Sequence, residues 1–200
     1  MSGLFGPLDS ECRVSPRQQT RVAAFLISAH GALARQFAFT QPTTLEFAWQ
    51  TELNAQYYRE SEIVSVLLRA TTWVPDPALA YLAVSWETVW FPTPVEEIAD
   101  PTLAMAAGLA TFAHAVHASI RPAALLPVEA NANDPFVMTL RRIEFESGRL
   151  MQAQILFLKG PKLAPFRNAV SAALQKRHAE IGKLWAEALE GVGITLSRAE

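Results

Sequence analysis

Asp100-Pro101 opens the stretch DPTLAMAAGLATFAHAVHASI, residues 100–120, and its reading decides the fold. An aspartate ahead of a helix accepts hydrogen bonds from the first N–H groups, and a proline placed next gives up a donor that has no partner there anyway. From that start Met105, Leu109, Phe112, Val116 and Ile120 fall on one bulky side, while Ala106, Ala107, Ala110 and Ala113 make a thin one. The period is helical, and the thin side lets a neighbouring helix approach closely. A bilayer span needs roughly 20 strongly apolar residues. This stretch is mostly alanine and contains His114 and His117, so it reads as a core helix rather than a membrane span.

Working outward, the same capping pair recurs at Ser15-Pro16, Asp76-Pro77 and Asp134-Pro135. Ser15 with Gln18, Thr43 with Glu46, and Thr93-Pro94 with Glu96 also have the spacing of capping boxes. Together these signals predict helices from near 16, 44, 77, 94, 101, 135 and 165. Alternation by twos is absent apart from Gly193 to Leu196, so the chain is predicted all-α, a single compact bundle of six to seven helices.

Each helix has its own distribution of apolar residues. In the first, Val22, Phe25, Leu26, Ala29, Leu33 and Phe37 form one stripe, with Arg17, Arg21 and Arg35 off its centre. In the helix from 77, Leu79, Leu82, Trp86, Val89 and Trp90 form one stripe and Tyr81, Val84 and Phe91 a second. Apolar surface wraps most of the way round it, so that helix is expected to be central or covered by a partner. The last two helices read as a long antiparallel hairpin turning through Lys159-Gly160-Pro161, with Pro165 restarting the helix and Gly191 ending it.

The domain plan follows: a tail over 1–14, a helical subdomain over 15–125, a connecting loop over 126–133, the hairpin over 134–192 and a tail over 193–200. Residues 1–100 carry 6 basic and 11 acidic groups and residues 101–200 carry 11 and 8, so the halves attract and are expected to pack as one core.

Composition excludes whole classes of function. Among 200 residues the formal charge is −2, half the side chains are hydrophobic and 18% are charged, which excludes extensive disorder and gives no polyanion-binding surplus. The single cysteine, Cys12, forms no internal disulfide and no Cys-based zinc knuckle, which fits a reducing compartment. Residues 1–8 lack the basic start and apolar run of a signal peptide, and the expectation is a cytoplasmic chain. No phosphate loop, nucleophile elbow or zinc-protease helix motif is present, so the chain is read as non-catalytic and no cofactor is expected.

Three groups remain as candidate sites. Trp86, Trp90 and Phe91, ahead of Pro92 and Pro94, have the character of anchors for another chain. On the hairpin, Arg177 falls in the middle of an apolar face and is expected to be buried opposite Glu144 to Glu146. Glu144, Ser147, Gln154 and Arg177 could then line a polar pocket. His114 and His117, one turn apart, could share a metal ion if a third ligand comes from elsewhere. In the second helix Glu52, Gln56 and Glu60 recur every four residues, and Glu60 lies within the apolar stripe of Leu45, Trp49, Leu53, Ile63 and Leu67. A buried carboxylate needs a partner, and helical bundles use inward carboxylates as metal ligands, though the usual Glu-x-x-His pairing is missing.

Thr43-Thr44-Leu45-Glu46, Ala48 and Tyr57-Tyr58 resemble the helix-turn-helix region of TetR-type repressors. Thr51-Glu52-Leu53-Asn54 replaces the glycine turn, and one arginine against four glutamates in 40–62 opposes phosphate contact. His30 on the first helix resembles the proximal ligand of haem oxygenase-like folds, whose glycine-rich distal helix has no counterpart, Gly108 being isolated. The leading expectation is an accessory subunit docking onto a larger protein or its own copy. The alternatives are a helical enzyme or carrier with a ligand or metal pocket, and a degenerate TetR-like regulator. Nucleic acid and membrane insertion are not expected.

Overall fold

The computed structural model describes residues 15–40, 47–71, 93–119 and 134–191. Five α-helices lie within them: α1 (Pro16–Thr40), α2 (Phe47–Ala70), α3 (Pro101–Ser119), α4 (Pro135–Leu158) and α5 (Arg167–Gly191), with a 3-10 turn at Pro161–Phe166 before the last. No strand occurs among the described residues. The predicted helix from 77 and the short alternating stretch at 193–196 lie outside them, as do Trp86, Trp90 and Phe91.

The capping reading holds at Asp100 and Asp134. Asp100 Oδ1 accepts from Thr102 N at 2.9 Å and Leu103 N at 3.3 Å, and Asp134 Oδ1 accepts from Phe136 N at 2.8 Å. Pro16, Pro101 and Pro135 each occupy the first helical position. Residues 94–100 do not form the predicted helix. Ala104 O takes the Val95 N–H at 3.0 Å, Ile98 N turns back to Val95 O, and α3 begins at Pro101 before a second turn could form. Five α-helices therefore pack as a bundle among the described residues, and the predicted helix from 77, which the count of six to seven includes, falls outside them.

Packing is built around α3. Of its 19 residues 13 are buried, more than one face can hold, because it is sandwiched between α4 and α5 and also touches α1. Its thin side admits the strap 93–98: a Cβ on Gly108 would lie 2.1 Å from Thr93 O, so only glycine allows the strap across. The most extensive helix pair is α1 with α2. They run antiparallel, since His30 meets Glu60 while Phe37 shares a pocket with Leu53.

Two apolar cores result. The larger joins Phe25, Leu26, Leu33 and Phe37 of α1, Ile63 and Leu67 of α2, Leu109, Phe112 and Val116 of α3, Leu140, Ile143 and Leu150 of α4, and Ile181 of α5. The smaller gathers Val95, Ile98, Leu103, Ala107, Leu158, Leu163 and Val170 under the strap and the 3-10 turn.

The expected α4–α5 hairpin is corrected: both helices lie against α3 and make only marginal contact with each other. Gly160 and the 3-10 turn, with Pro165 inside it, redirect the chain so that α5 starts at Arg167 on another side of α3. One described segment, Gln19–Thr40 of α1, is long and apolar enough to cross a membrane, with mean hydropathy 1.3; 61% of its apolar window is buried in this fold.

Candidate metal centre

Four helices each place one polar side chain at the same point of the larger core. On α1 His30 belongs to the buried side with Leu26, Ala29 and Leu33. On α2 Glu60 follows Leu53 and Gln56 and precedes Ile63 and Leu67 on the buried side. On α3 His117 follows Ala113 and Val116, and on α4 Gln154 continues the side of Ser147 and Leu150. Helical period alone brings these groups inward, because a residue three or four places from a core residue faces the core too.

Glu60 is the hub. Its Oε2 accepts from His30 Nδ1 at 2.6 Å and its Oε1 from His117 Nε2 at 2.7 Å, with all three side chains at 0% exposure. The two imidazoles lie 6.0 Å apart between centroids. Burial alone raises the Glu60 pKa, but the facing charges and hydrogen bonds of His117 and His30 outweigh it and hold the carboxyl down at about 2. Glu60 is therefore an anion in the core, and a buried anion is stable only against adjacent positive charge.

Beyond His117 the polar groups continue in a line. Gln154 lies against His117 Nδ1, with Oε1 at 3.3 Å and Nε2 at 3.1 Å, and its Nε2 donates to Gln56 Oε1 at 3.3 Å. Gln56 Nε2 donates in turn to Glu52 Oε1 at 3.0 Å, where the line reaches the surface. At the other end, His30 Nε2 is buried with no hydrogen-bond partner, as is Ser147 Oγ. One donor atom from each of His30, Glu60 and His117 lies within 4.8 Å of the other two, the span of a ligand set around a single ion. Two imidazole nitrogens and one carboxylate are the donor set of one class of mononuclear catalytic zinc sites and of the iron(II) facial triad.

The expected sites are redistributed. His114 and His117 do not share an ion: His117 joins His30 and Glu60, while His114 Nδ1 lies 3.2 Å from His178 Nε2 on α5. Burial first, then the charges of His178 and His117, lower the His114 pKa to about 4, and burial lowers His178 as well. Glu144, Ser147, Gln154 and Arg177 do not form one pocket. Arg177 Nη1 pairs with Glu180 at 2.8 Å and its Nη2 donates to Thr93 Oγ1, since α5 lies against the strap and not against Glu144 or Glu146. Its side chain is largely buried, as expected, at 15% exposure, but its partners are Glu180 and Thr93 rather than a glutamate of α4. Of that group only Gln154 reaches the polar centre.

Sequence reasoning singled out Glu60 and His117 separately and left His30 unconnected. The available signal was a polar residue inside each of two apolar stripes that pair as neighbours, since each could then supply the other's missing partner. Comparison with protein-family models, curated proteins and solved structures returns no match to this chain.

Proposed function

We propose that this chain is a helical metal protein of the enzyme or carrier class, in which His30, Glu60 and His117 hold one zinc or iron(II) ion. The observation that carries the reading is the convergence of these three side chains, from three helices, at zero exposure around one anionic carboxylate. A dication supplies the positive charge that Glu60 needs. Three protein ligands leave a coordination position for water or a substrate oxygen, the pattern of catalytic rather than closed structural sites. An ion held this way acts as a Lewis acid and lowers the pKa of bound water. Gln154 on His117 Nδ1 fixes the ring's orientation, as outer-shell groups do at metal sites.

The 2.6 and 2.7 Å contacts favour a second reading of the same residues. Ligand atoms around a tetrahedral zinc sit about 3.3 Å apart, so a shared ion requires Glu60 to draw back by several tenths of an ångström, whereas a purely hydrogen-bonded triad requires no movement. Metal analysis separates the two. After reconstitution with zinc or iron(II) and desalting, about one ion per chain is expected, falling to background in Glu60→Gln and His117→Ala variants that keep their helical circular dichroism. A folded parent that retains no ion under these conditions rules the metal reading out.

The docking reading rests on a different observation. Met138, Phe145 and Leu156 of α4 are 59%, 67% and 72% exposed and fall on one line along the helix, an apolar ridge suited to another chain. Sedimentation of a Phe145→Ser, Leu156→Ser variant tests it: an association present in the parent should be lost, and an unchanged mass distribution removes the ridge from consideration.

A further inference from the structure

The chain has 4 histidines, and each of them meets a polar group of another helix. His30 and His117 converge on Glu60, whereas His114 of α3 and His178 of α5 meet each other outside that centre. His114 Nδ1 and His178 Nε2 lie 3.2 Å apart, with ring centroids at 5.3 Å and ring planes turned by 76°. Neither ring makes another hydrogen bond or ion pair among the described residues. Both side chains are half-buried, which leaves the pair in contact with water.

This spacing suits two ligands of one ion. Ligand atoms around a tetrahedral zinc sit about 3.3 Å apart, so the two nitrogens need to separate by only about 0.1 Å, and rings turned this far from parallel clear each other. Burial lowers the pKa of both imidazoles, so each is neutral at neutral pH and offers a lone pair. With an ion between them the ring protons sit on His114 Nε2 and His178 Nδ1. No carboxylate takes part, which disfavours the oxygen-seeking magnesium and calcium, whereas imidazole suits zinc and copper(II). We propose that His114 and His178 form a second metal site, which binds one zinc or copper(II) ion between α3 and α5 with water completing the coordination. Two neutral ligands hold an ion more weakly than His30, Glu60 and His117 together. The site therefore fills only at metal concentrations well above those that saturate the buried centre, and it empties on desalting. It forms whether or not that centre holds a metal.

Equilibrium dialysis of the full chain against excess zinc, copper(II) or magnesium keeps a weak site occupied and counts its ions. Glu60→Gln, which lacks the buried centre, should retain one zinc or one copper ion per chain and no magnesium. Adding His114→Gln and His178→Gln should bring that count to background. The copper-loaded Glu60→Gln protein should show electron paramagnetic resonance coupling to two imidazole nitrogens, reduced to one by His178→Gln, a signature that scattered surface binding does not give. If Glu60→Gln fails to fold, the comparison is made in the parent, where replacing both His114 and His178 should remove one ion from whatever count the parent starts with. An ion kept by Glu60→Gln and lost with the pair separates this site from the buried one. No ion on folded Glu60→Gln, a count unchanged when both histidines are replaced, or a copper spectrum without two nitrogen ligands overturns the proposal.

Discussion

His117 carries a proton on one ring nitrogen or the other, and its two neighbours favour different answers. Donating from Nε2 to Glu60 leaves Nδ1 as an acceptor, which the Gln154 Nε2 at 3.1 Å can satisfy. Giving the Nε2 lone pair to a metal places the proton on Nδ1, where Gln154 Oε1 at 3.3 Å accepts it and the amides then point outward to Glu52 in one unbroken direction. Gln154 is thus a positioning residue for either state. Gln154→Leu is expected to weaken zinc binding by about tenfold or more, the usual cost of losing an outer-shell partner. Unchanged zinc affinity in a competition titration would remove Gln154 from the site. His114 and His178 make a separate test by pH. In the unfolded chain each protonates near 6.5, whereas folding holds His114 down at about 4 and lowers His178 too, so the unfolded chain binds more protons between these values. The stability these neutral rings contribute is complete above the unfolded value and is lost as pH falls through the folded one. The unfolding midpoint should drop between neutral pH and about 4.5, and a His114→Gln, His178→Gln variant should drop less. Glu60 loses its contribution in a lower window, between 4.5 and about 2, so its titration does not mimic theirs. Parallel pH curves for parent and variant would refute the assignment.

Helix starts were the most legible elements because a cap and a proline act locally, within the first turn. Asp134→Ala should cost about 1 kcal/mol by leaving the Phe136 N–H without its acceptor, read as a lower denaturant midpoint at unchanged slope. Thr93-Pro94 carries the same local signal and still makes no helix, because the N–H of the next residue, Val95, is given to Ala104 O in the first turn of α3. That is a tertiary contact with no counterpart in a capping pattern. The same limit explains Arg177: its position on α5 is legible from periodicity, but which helix it faces depends on the course of the 3-10 turn. Gly108 looked like an isolated glycine of no consequence, and the strap gives it one. Gly108→Ala drives a methyl into Thr93 O and should destabilise by about 1–3 kcal/mol, whereas Gly148→Ala on α4 meets nothing within 4 Å and should stabilise by up to about 1 kcal/mol. Equal effects at the two positions would mean that the strap yields.

At the scale of the whole molecule, the sequence halves of opposite charge do meet, through α3 and α4 against α1 and α2, but the centre between them follows from register rather than from charge. Glu60 and His117 were visible as polar residues in apolar surroundings; His30 joins them only once α1 and α2 are paired, which periodicity does not specify. That pairing has an energetic consequence. His30, Glu60 and His117 tie α1, α2 and α3 together at a point surrounded by the larger core, and α3 also carries the smaller one. An ion bound there binds the folded chain far better than the unfolded one, so it should raise the stability of both cores as a single unit. At a free zinc concentration a thousandfold above its dissociation constant the gain is about 4 kcal/mol. Thermal unfolding followed by circular dichroism should therefore show one transition that moves up with zinc and back down with a chelator, while Glu60→Gln, already missing the ligand, should respond to neither. If zinc raises only part of the signal, the two cores unfold separately and α3 does not couple them. If the parent is as indifferent as the variant, Glu60 balances its charge with the imidazoles alone, and the triad is a hydrogen-bonded element of the core.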